Sequence, residues 1–241
     1  MNPPPLPWIA PHSPAETFPD VHTALRDPDG LLAAGGDLSP ERLLYAYHHG
    51  IFPWYHAEQP ILWWSPDPRA VLLPHDVHIS RSLRKCLRRI SFAATFDAAF
   101  GEVVTACAAP RKQQPGGDTW ITPAMQAAYA ELHRLGHAHS LEIRMHSELA
   151  GGLYGVALGG VFFAESMFSR RANASKIALV CLARQLQAWG FKLIDCQVSS
   201  AHLAHCGSVA IPRQQFLERL DRYTVLPGRR GPWRFEISLA F

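Results

Sequence analysis

Residues 148–168, ELAGGLYGVALGGVFFAESMF, and the stretch directly beyond, NASKIALVCLARQLQAWGFKLIDCQ at 173–197, decide the fold. The first holds two apolar runs parted by Gly159–Gly160, a tight-turn dipeptide, and so predicts a β-hairpin. The second opens at Asn173 and closes at Gly190, the ends of a long helix. FKLIDCQV then reads as a strand. Upstream, HSLEIRMH is another strand. Downstream come a short helix and IPRQQFLERL, whose Pro212 suits a helix start. Hairpin, helix, strand, helix describes a sheet with helices laid on it, an α+β (α/β-like) chain.

Outward from that centre, the N-terminal 70 residues are broken up by proline and glycine and rich in tryptophan and tyrosine. One good helix stands among them. Ser39 can cap it, Pro40 suits its first position, Leu43, Leu44 and Tyr47 mark one face, and Gly50 ends it. ILWWSPDPRAVLLP reads as strand, proline turn and strand, which places the edge of a small N-terminal domain at 1–67, before a larger domain at 68–241. Residues 79–90 predict a helix with Leu83, Leu87 and Ile90 on an apolar stripe. Arg81, Arg84, Lys85 and Arg88 fall on a basic one. Further helices are expected over 96–107 and from Thr122–Pro123 to Leu135. APRKQQPGGDTW is a loop by its turn residues.

Composition excludes several classes. Of 241 residues, 48% are apolar and 18% charged, which is globular and large enough for a core without disulfide or metal. No apolar stretch nears the roughly 20 residues needed to span a bilayer. The N-terminus has no charged n-region, apolar h-region or cleavage site, and the five scattered cysteines include no CxxC, so the expectation is a reduced, cytoplasmic protein. Net charge is only +3, so the basic run HISRSLRKCLRRI matters more than the total. HLAHC at 202–206 is the densest histidine cluster, yet it reads as a short polar helix stopped by Gly207 rather than a metal site.

The common nucleotide and hydrolase signatures (GxxxxGK, GxGxxG, GxSxG) are absent. The nearest approach to a CoA-cradling loop, QAWGFK at 187–192, ends a helix and has lysine where a small residue belongs. What remains are polar residues in apolar strands. Period-two alternation puts Asp195 and Gln197 on one face beside a core, and Glu165 ends the apolar run VFFAES. These are either polar groups satisfied at strand ends or a small polar site there. Trp54, Trp63, Trp64 and Trp120 sit in polar, proline-rich or loop contexts, which suits stacking on unpaired bases as well as packing in a core.

The strings GLLAAGGDLSPERLLYAYHHGIFPWY, WWSPDPRAVL, HISRSLRK, TWIT, ELHRLGHAHS, GGLYGVALGGVFFAESMFSR, NASKIAL and LIDCQ, in this order from about Leu25 to Phe216, resemble the leucyl/phenylalanyl-tRNA–protein transferases. The resemblance implies a larger domain with an acyltransferase-like (GNAT-like) sheet and packed helices. It implies transfer of leucine or phenylalanine, more weakly methionine, from aminoacyl-tRNA to the α-amino group of proteins that begin with arginine or lysine, marking them for N-end-rule degradation. It implies no cofactor, no metal, no membrane and a monomer. By the same resemblance Glu165, Asp195 and Gln197 form the catalytic centre. Trp54 and Trp120 hold the 3′-terminal adenosine, with Tyr47 nearby. Leu153, Phe162, Met167, Leu182 and Ile194 match the pocket for the transferred side chain. Arg84, Lys85, Arg88 and Arg89 match the acceptor-stem contact. The N-terminal MNPPPLPWIAP and the tail past Arg222 do not match, the loop before Trp120 looks longer than usual, and Leu153 replaces an expected methionine.

The chemistry fits that assignment. Aminoacyl-tRNA is an activated ester, so positioning an amine on its carbonyl is most of the work. An α-amine of pKa about 7.7–8.0 is partly neutral at physiological pH. Gln197, too weak a base to hold a proton, can aim the amine while Asp195 fixes its orientation. The proton can leave through Asp195, a water or the adenosine 2′-hydroxyl. Glu165 and Asp195 are also expected to attract the cationic first residue of the acceptor. Two other readings stand beside this one: a CoA-dependent N-acetyltransferase, and a non-catalytic RNA-binding module built on the basic helix and the aromatics.

Overall fold

The computed structural model describes residues 5–109 and 119–239. The 110–118 loop and the first residues of the proline-rich N-terminus, both singled out above, lie outside them. The small sheet has four strands, β1 (Trp8–Ile9), β2 (Leu31–Gly35), β3 (Phe52–Pro53) and β4 (Leu62–Trp64), in the order β1-β2-β4-β3. Helix α1 (Pro40–His48) joins β2 to β3. Ser39 occupies its N-cap without a side-chain bond, and Asp37 Oδ1 accepts the Ser39 N–H at 3.0 Å instead.

The large sheet has seven strands in the order β11-β5-β10-β9-β8-β7-β6. These are β5 (Arg69–Leu72), β6 (Ala93–Phe96), β7 (Ala138–Met145), β8 (Glu148–Leu158), β9 (Val161–Ser169), β10 (Leu193–Gln197) and β11 (Val209–Ile211). Only β9 and β10 run parallel in it; every other pairing is antiparallel. The hairpin β8–β9 turns at Gly159, whose φ of 54° lies in the left-handed region that favours glycine. At Gly155 a Cβ would run into the Phe163 carbonyl oxygen and meet the Phe162 ring at 2.7 Å, so the missing side chain lets that ring lie across the strand.

Strand alternation divides the core in two. Tyr154, Val156, Val161, Phe163, Leu193 and Val71 face one side, toward α1, α3 (Phe100–Ala108), α4 (Pro123–Arg134) and α7 (Arg213–Thr224). Leu153, Ala157, Phe162, Ile194, Ala70 and Leu72 face the other, toward α2 (Arg81–Leu87) and α5 (Ala174–Ala188). The first cluster also takes in Ile9, Trp63 and Phe52, so the two sheets share apolar packing.

Several expectations change in detail. The helix expected from residue 96 starts at Phe100, because Ala93–Phe96 pairs with β7 as an edge strand and Asp97 turns the chain at φ 55°. The basic helix is seven residues long, Arg81–Leu87, with Ser80 Oγ accepting the Leu83 N–H. The strands of ILWWSPDPRAVLLP belong to different sheets. Residues 209–211 form a strand where none was expected. The α+β class itself is what the chain adopts.

Candidate active site

β9 and β10 stay in register only as far as Phe163 and Asp195. Gln197 is the last residue of β10, whereas Glu165, expected at a strand end, sits midway along β9, which runs on to Ser169; both lie just past the last β9–β10 pair, where the two parallel strands stop pairing. There the Gln197 Nε2–H donates to Glu165 Oε1 at 2.9 Å and closes the gap. Strict alternation fails at this point. β10 bulges between Asp195 and Gln197, and Gln197 takes φ 62°, a conformation costing a non-glycine residue on the order of 1–3 kcal/mol. The Gln197 backbone N–H donates to Asp195 Oδ1 at 2.9 Å, so Asp195 does fix Gln197, through the backbone.

Asp195 is itself held by a residue the sequence did not mark out. Arg69, opening β5, donates from Nε at 2.9 Å and from Nη2 at 2.7 Å to the two carboxylate oxygens, and both side chains are fully buried. Its Nη1 reaches the Gly50 carbonyl at 3.0 Å, and the guanidinium lies over Phe52 and Phe216 at 4.8 and 4.6 Å. This planar bidentate pairing is one lysine cannot reproduce. Asp195 therefore has its charge matched and is closed off from an acceptor's cation.

Glu165 is buried among phenols. Tyr47 Oη of α1 lies 2.7 Å from Oε1 and Tyr129 Oη of α4 2.6 Å from Oε2, both at hydrogen-bond distance. Burial pushes the carboxyl up to about 7, against the pull of the hydrogen bonds from Tyr129, Tyr47 and Gln197, and nearby Asp195 adds to the rise. The same burial, with Glu165 alongside, drives both phenols well above their ordinary range. Tyr47 has no exposed surface, so it stands behind the site and offers no face to an adenosine. Tyr129 was missed because it follows Met125 and precedes Leu132 at helical spacing, the pattern of an ordinary core face.

A cavity of about 400 Å³ opens beside this pair, lined by Trp120, Leu153, Glu165, Met167, Gln197 and His202 among others. Phe162, Leu182 and Ile194 are fully buried behind its apolar wall, in one cluster with Leu153 and with Met167 packed against it. Trp54 lines a separate recess of about 390 Å³ with Trp64, Tyr55 and His56. The two tryptophans thus stand in different hollows.

Arg81, Arg84 and Lys85 of α2, with Arg88 and Arg89 just past its end, surround a surface recess of about 330 Å³, all exposed and without an ion pair among the described residues. Hydrogen bonds tie this helix and the segment before it to their neighbours. The Asn173 Nδ2–H donates to Cys86 Sγ at 3.6 Å, and the His78 N–H to the Cys206 carbonyl at 2.9 Å, just past the His202-bearing α6 (Ala201–His205). No group of three or more His, Cys, Asp or Glu among the described residues could hold a metal, HLAHC included. No helix there is long and apolar enough to cross a membrane.

Comparison with known proteins agrees with the ordered strings. The family model described as leucyl/phenylalanyl-tRNA protein transferase matches residues 71–221, and its N-terminal-domain companion matches 36–67. The curated relative of that name from Chromohalobacter salexigens is 58% identical over 95% of this chain and 88% of its own. The one from Nitrosomonas europaea is 57% identical over 92% of this chain and 93% of its own. Among solved structures, a GCN5-related N-acetyltransferase from Kribbella flavida is similar at 15% identity over 71% of this chain and 60% of that one, with a TM-score of 0.35, too remote to argue from. Matched over most of its length by the family models and more than half identical to relatives across nine-tenths of it, the chain belongs to the leucyl/phenylalanyl-tRNA protein transferase family.

Proposed function

We propose that the chain is the aminoacyltransferase its family membership indicates. It moves leucine or phenylalanine, and methionine less readily, from aminoacyl-tRNA to the α-amino group of proteins beginning with arginine or lysine, and so marks them for N-end-rule degradation. It works in the cytoplasm as a monomer, with residues 1–67 as a small domain beside the catalytic domain at 68–241. The observation that carries the reading is the cavity where β9 and β10 part. Its apolar wall, with Leu153 and Met167 at the surface, meets the Glu165–Gln197 pair. The apolar side chain of an amino acid esterified to tRNA fits the wall, and the reacting carbonyl then falls beside the amide.

In this reading Gln197 is the residue that aims the nucleophile. Its Nε2 is already engaged by Glu165, which leaves Oε1 to accept an N–H from the attacking amine. The neutral amine attacks the ester carbonyl, the C–O bond to the ribose 3′-oxygen breaks, and the amine's surplus proton ends on that oxygen. The route is a water or the adenosine 2′-hydroxyl, since Asp195 is enclosed by Arg69. Arg69 and Asp195 hold the strained Gln197 backbone in place, so most of the catalysis is orientation. Trp120 supplies the face on which the terminal adenosine stacks at the cavity, Trp54 a second aromatic face in its own recess, and Arg84, Lys85, Arg88 and Arg89 take acceptor-stem phosphates. The test is transfer of labelled leucine from charged tRNA to two peptides differing only in their first residue. Label on the Arg-starting peptide and none on its Asp-starting twin is expected. Equal labelling, or transfer of a labelled acetyl group when acetyl-CoA replaces the charged tRNA, contradicts the reading.

A further inference from the structure

Four oxygens behind the cavity make three contacts at distances that count protons. Tyr47 Oη is 2.7 Å from Glu165 Oε1, Tyr129 Oη is 2.6 Å from Glu165 Oε2, and the two phenol oxygens are 2.6 Å from each other. Each phenol carries one proton, an ionised carboxylate none and a neutral carboxyl one. With Glu165 ionised, two protons serve three contacts. Both point at the carboxylate, and the phenol oxygens face each other with lone pairs alone. With Glu165 neutral, three protons serve three contacts. Glu165 Oε2–H donates to Tyr129, Tyr129 to Tyr47, and Tyr47 back to Glu165 Oε1, whose second lone pair takes the Gln197 amide. Both tyrosines have no exposed surface and Glu165 only 7%, so the ring has little recourse to solvent.

We propose that Glu165 rests in its neutral form, closing a ring of three hydrogen bonds with Tyr47 and Tyr129, and that these tyrosines are positioning residues which hold the carboxyl and, through it, the Gln197 amide. The groups around it agree. α1 presents Tyr47, α4 Tyr129 and β8 Tyr154, with Cys107 of α3 beside Tyr154. β10 presents Asp195, a negative charge already matched by Arg69 of β5. None of these is a free cation that would favour a carboxylate, and burial acts in the same direction as the ring.

The consequence for the reaction rests on the transferase reading above. A carboxylate beside the incoming α-amine would favour its ammonium form, which cannot attack, whereas a neutral carboxyl leaves the free base available. Attraction of the acceptor's cationic side chain, expected of Glu165 from the sequence, does not come from this resting state.

The test is the infrared band of the protonated carboxyl, taken as the difference between the full-length protein and Glu165→Gln across a pH titration. The ring predicts that Tyr129→Phe moves the midpoint of that band to lower pH. The neutral form loses two ring bonds, while the ionised form loses one charge-assisted bond and is relieved of its lone-pair contact. If the phenols are plain donors to a carboxylate, the same substitution moves the midpoint up, and an unchanged or higher midpoint overturns the proposal. Should Tyr129→Phe fail to fold, Glu165→Gln decides. The amide it introduces can close the same ring with N–H and C=O, so its melting temperature above neutral pH should equal or exceed that of the unaltered protein. A lower one overturns the ring. Neither readout involves tRNA or transfer, so loss of the ring and failure of the transferase reading are separate results.

Discussion

Replacing Arg69 with methionine removes a cation with no exposed surface and strands the equally buried Asp195. Two bonds to the carboxylate, one to the Gly50 carbonyl, and the stacking over Phe52 and Phe216 go with it. Breaking one side of a buried pair typically costs about 3–5 kcal/mol. Desolvated cation–π contacts of this kind are worth about 2 kcal/mol, part of which the methionine side chain recovers by packing between the rings. A loss near the top of the range, about 5 kcal/mol, is therefore expected, comparable to the whole stability of many domains. Urea unfolding followed by tryptophan fluorescence reads it. The double variant Arg69→Met/Asp195→Leu removes both charges and should recover most of that stability, because the dry pair contributes little over an apolar replacement. It should nevertheless stay inactive, since nothing then accepts the Gln197 N–H and holds its left-handed backbone. A cost below about 1 kcal/mol for the single variant, the level of an exposed ion pair, would refute the claim that a dry pair braces the site.

Stability should also follow Glu165. Its carboxyl is raised from 4.5 to about 7 on folding, so the folded chain binds the extra proton. The stability is fully present below pH 4.5 and lost as pH rises through about 7, a fall on the order of 3 kcal/mol that Glu165→Gln abolishes in denaturant titrations. Affinity for tRNA should fall steeply with salt. Neutralising Arg84, Lys85, Arg88 and Arg89 together should reduce the log–log slope by roughly 3, at about 0.7–0.9 per charge, and raise the apparent KM more than it changes kcat. Competition among charged tRNAs at equal concentration should rank leucine and phenylalanine first, methionine next, isoleucine and valine poor but measurable, and aspartate or lysine undetectable. A methyl-sized misfit against Leu153 and Met167 discriminates by roughly 10–200-fold, so equal transfer of isoleucine and leucine would refute a shape-selective wall.

Much of this was legible because local signals were strong. The glycine pair at the hairpin turn, the capped length of α5 and the apolar β10 run marked the elements that carry Glu165, Asp195 and Gln197, although β9 runs on to Ser169 and Glu165 sits within it rather than at its end. Period-two reasoning could not foresee the bulge at Gln197, which depends on Asp195 catching its N–H. Arg69 was hidden for a different reason. It opens the apolar run RAVLL, and its partner is 126 residues away, so neither charge has a sequence neighbour to betray the pair. Tyr47 read as one residue of the face of α1 marked by Leu43 and Leu44, and Tyr129 as an ordinary core position, since whether a phenol meets a carboxyl is settled by the crossing of α1 and α4 over the sheet. The edge strands β6 and β11 were missed because runs of four and three residues carry too little alternation to read.

The central claim is that Gln197, held at the end of β10, aims the amine at the aminoacyl ester. It is tested most directly by single-turnover transfer of leucine from saturating leucyl-tRNA to an Arg-starting peptide, comparing the unaltered protein with Gln197→Ala. A fall of about 100-fold in the transfer rate, with tRNA affinity unchanged, is the predicted result for a lost orienting contact. Transfer by Gln197→Ala at the unaltered protein's rate would contradict the account.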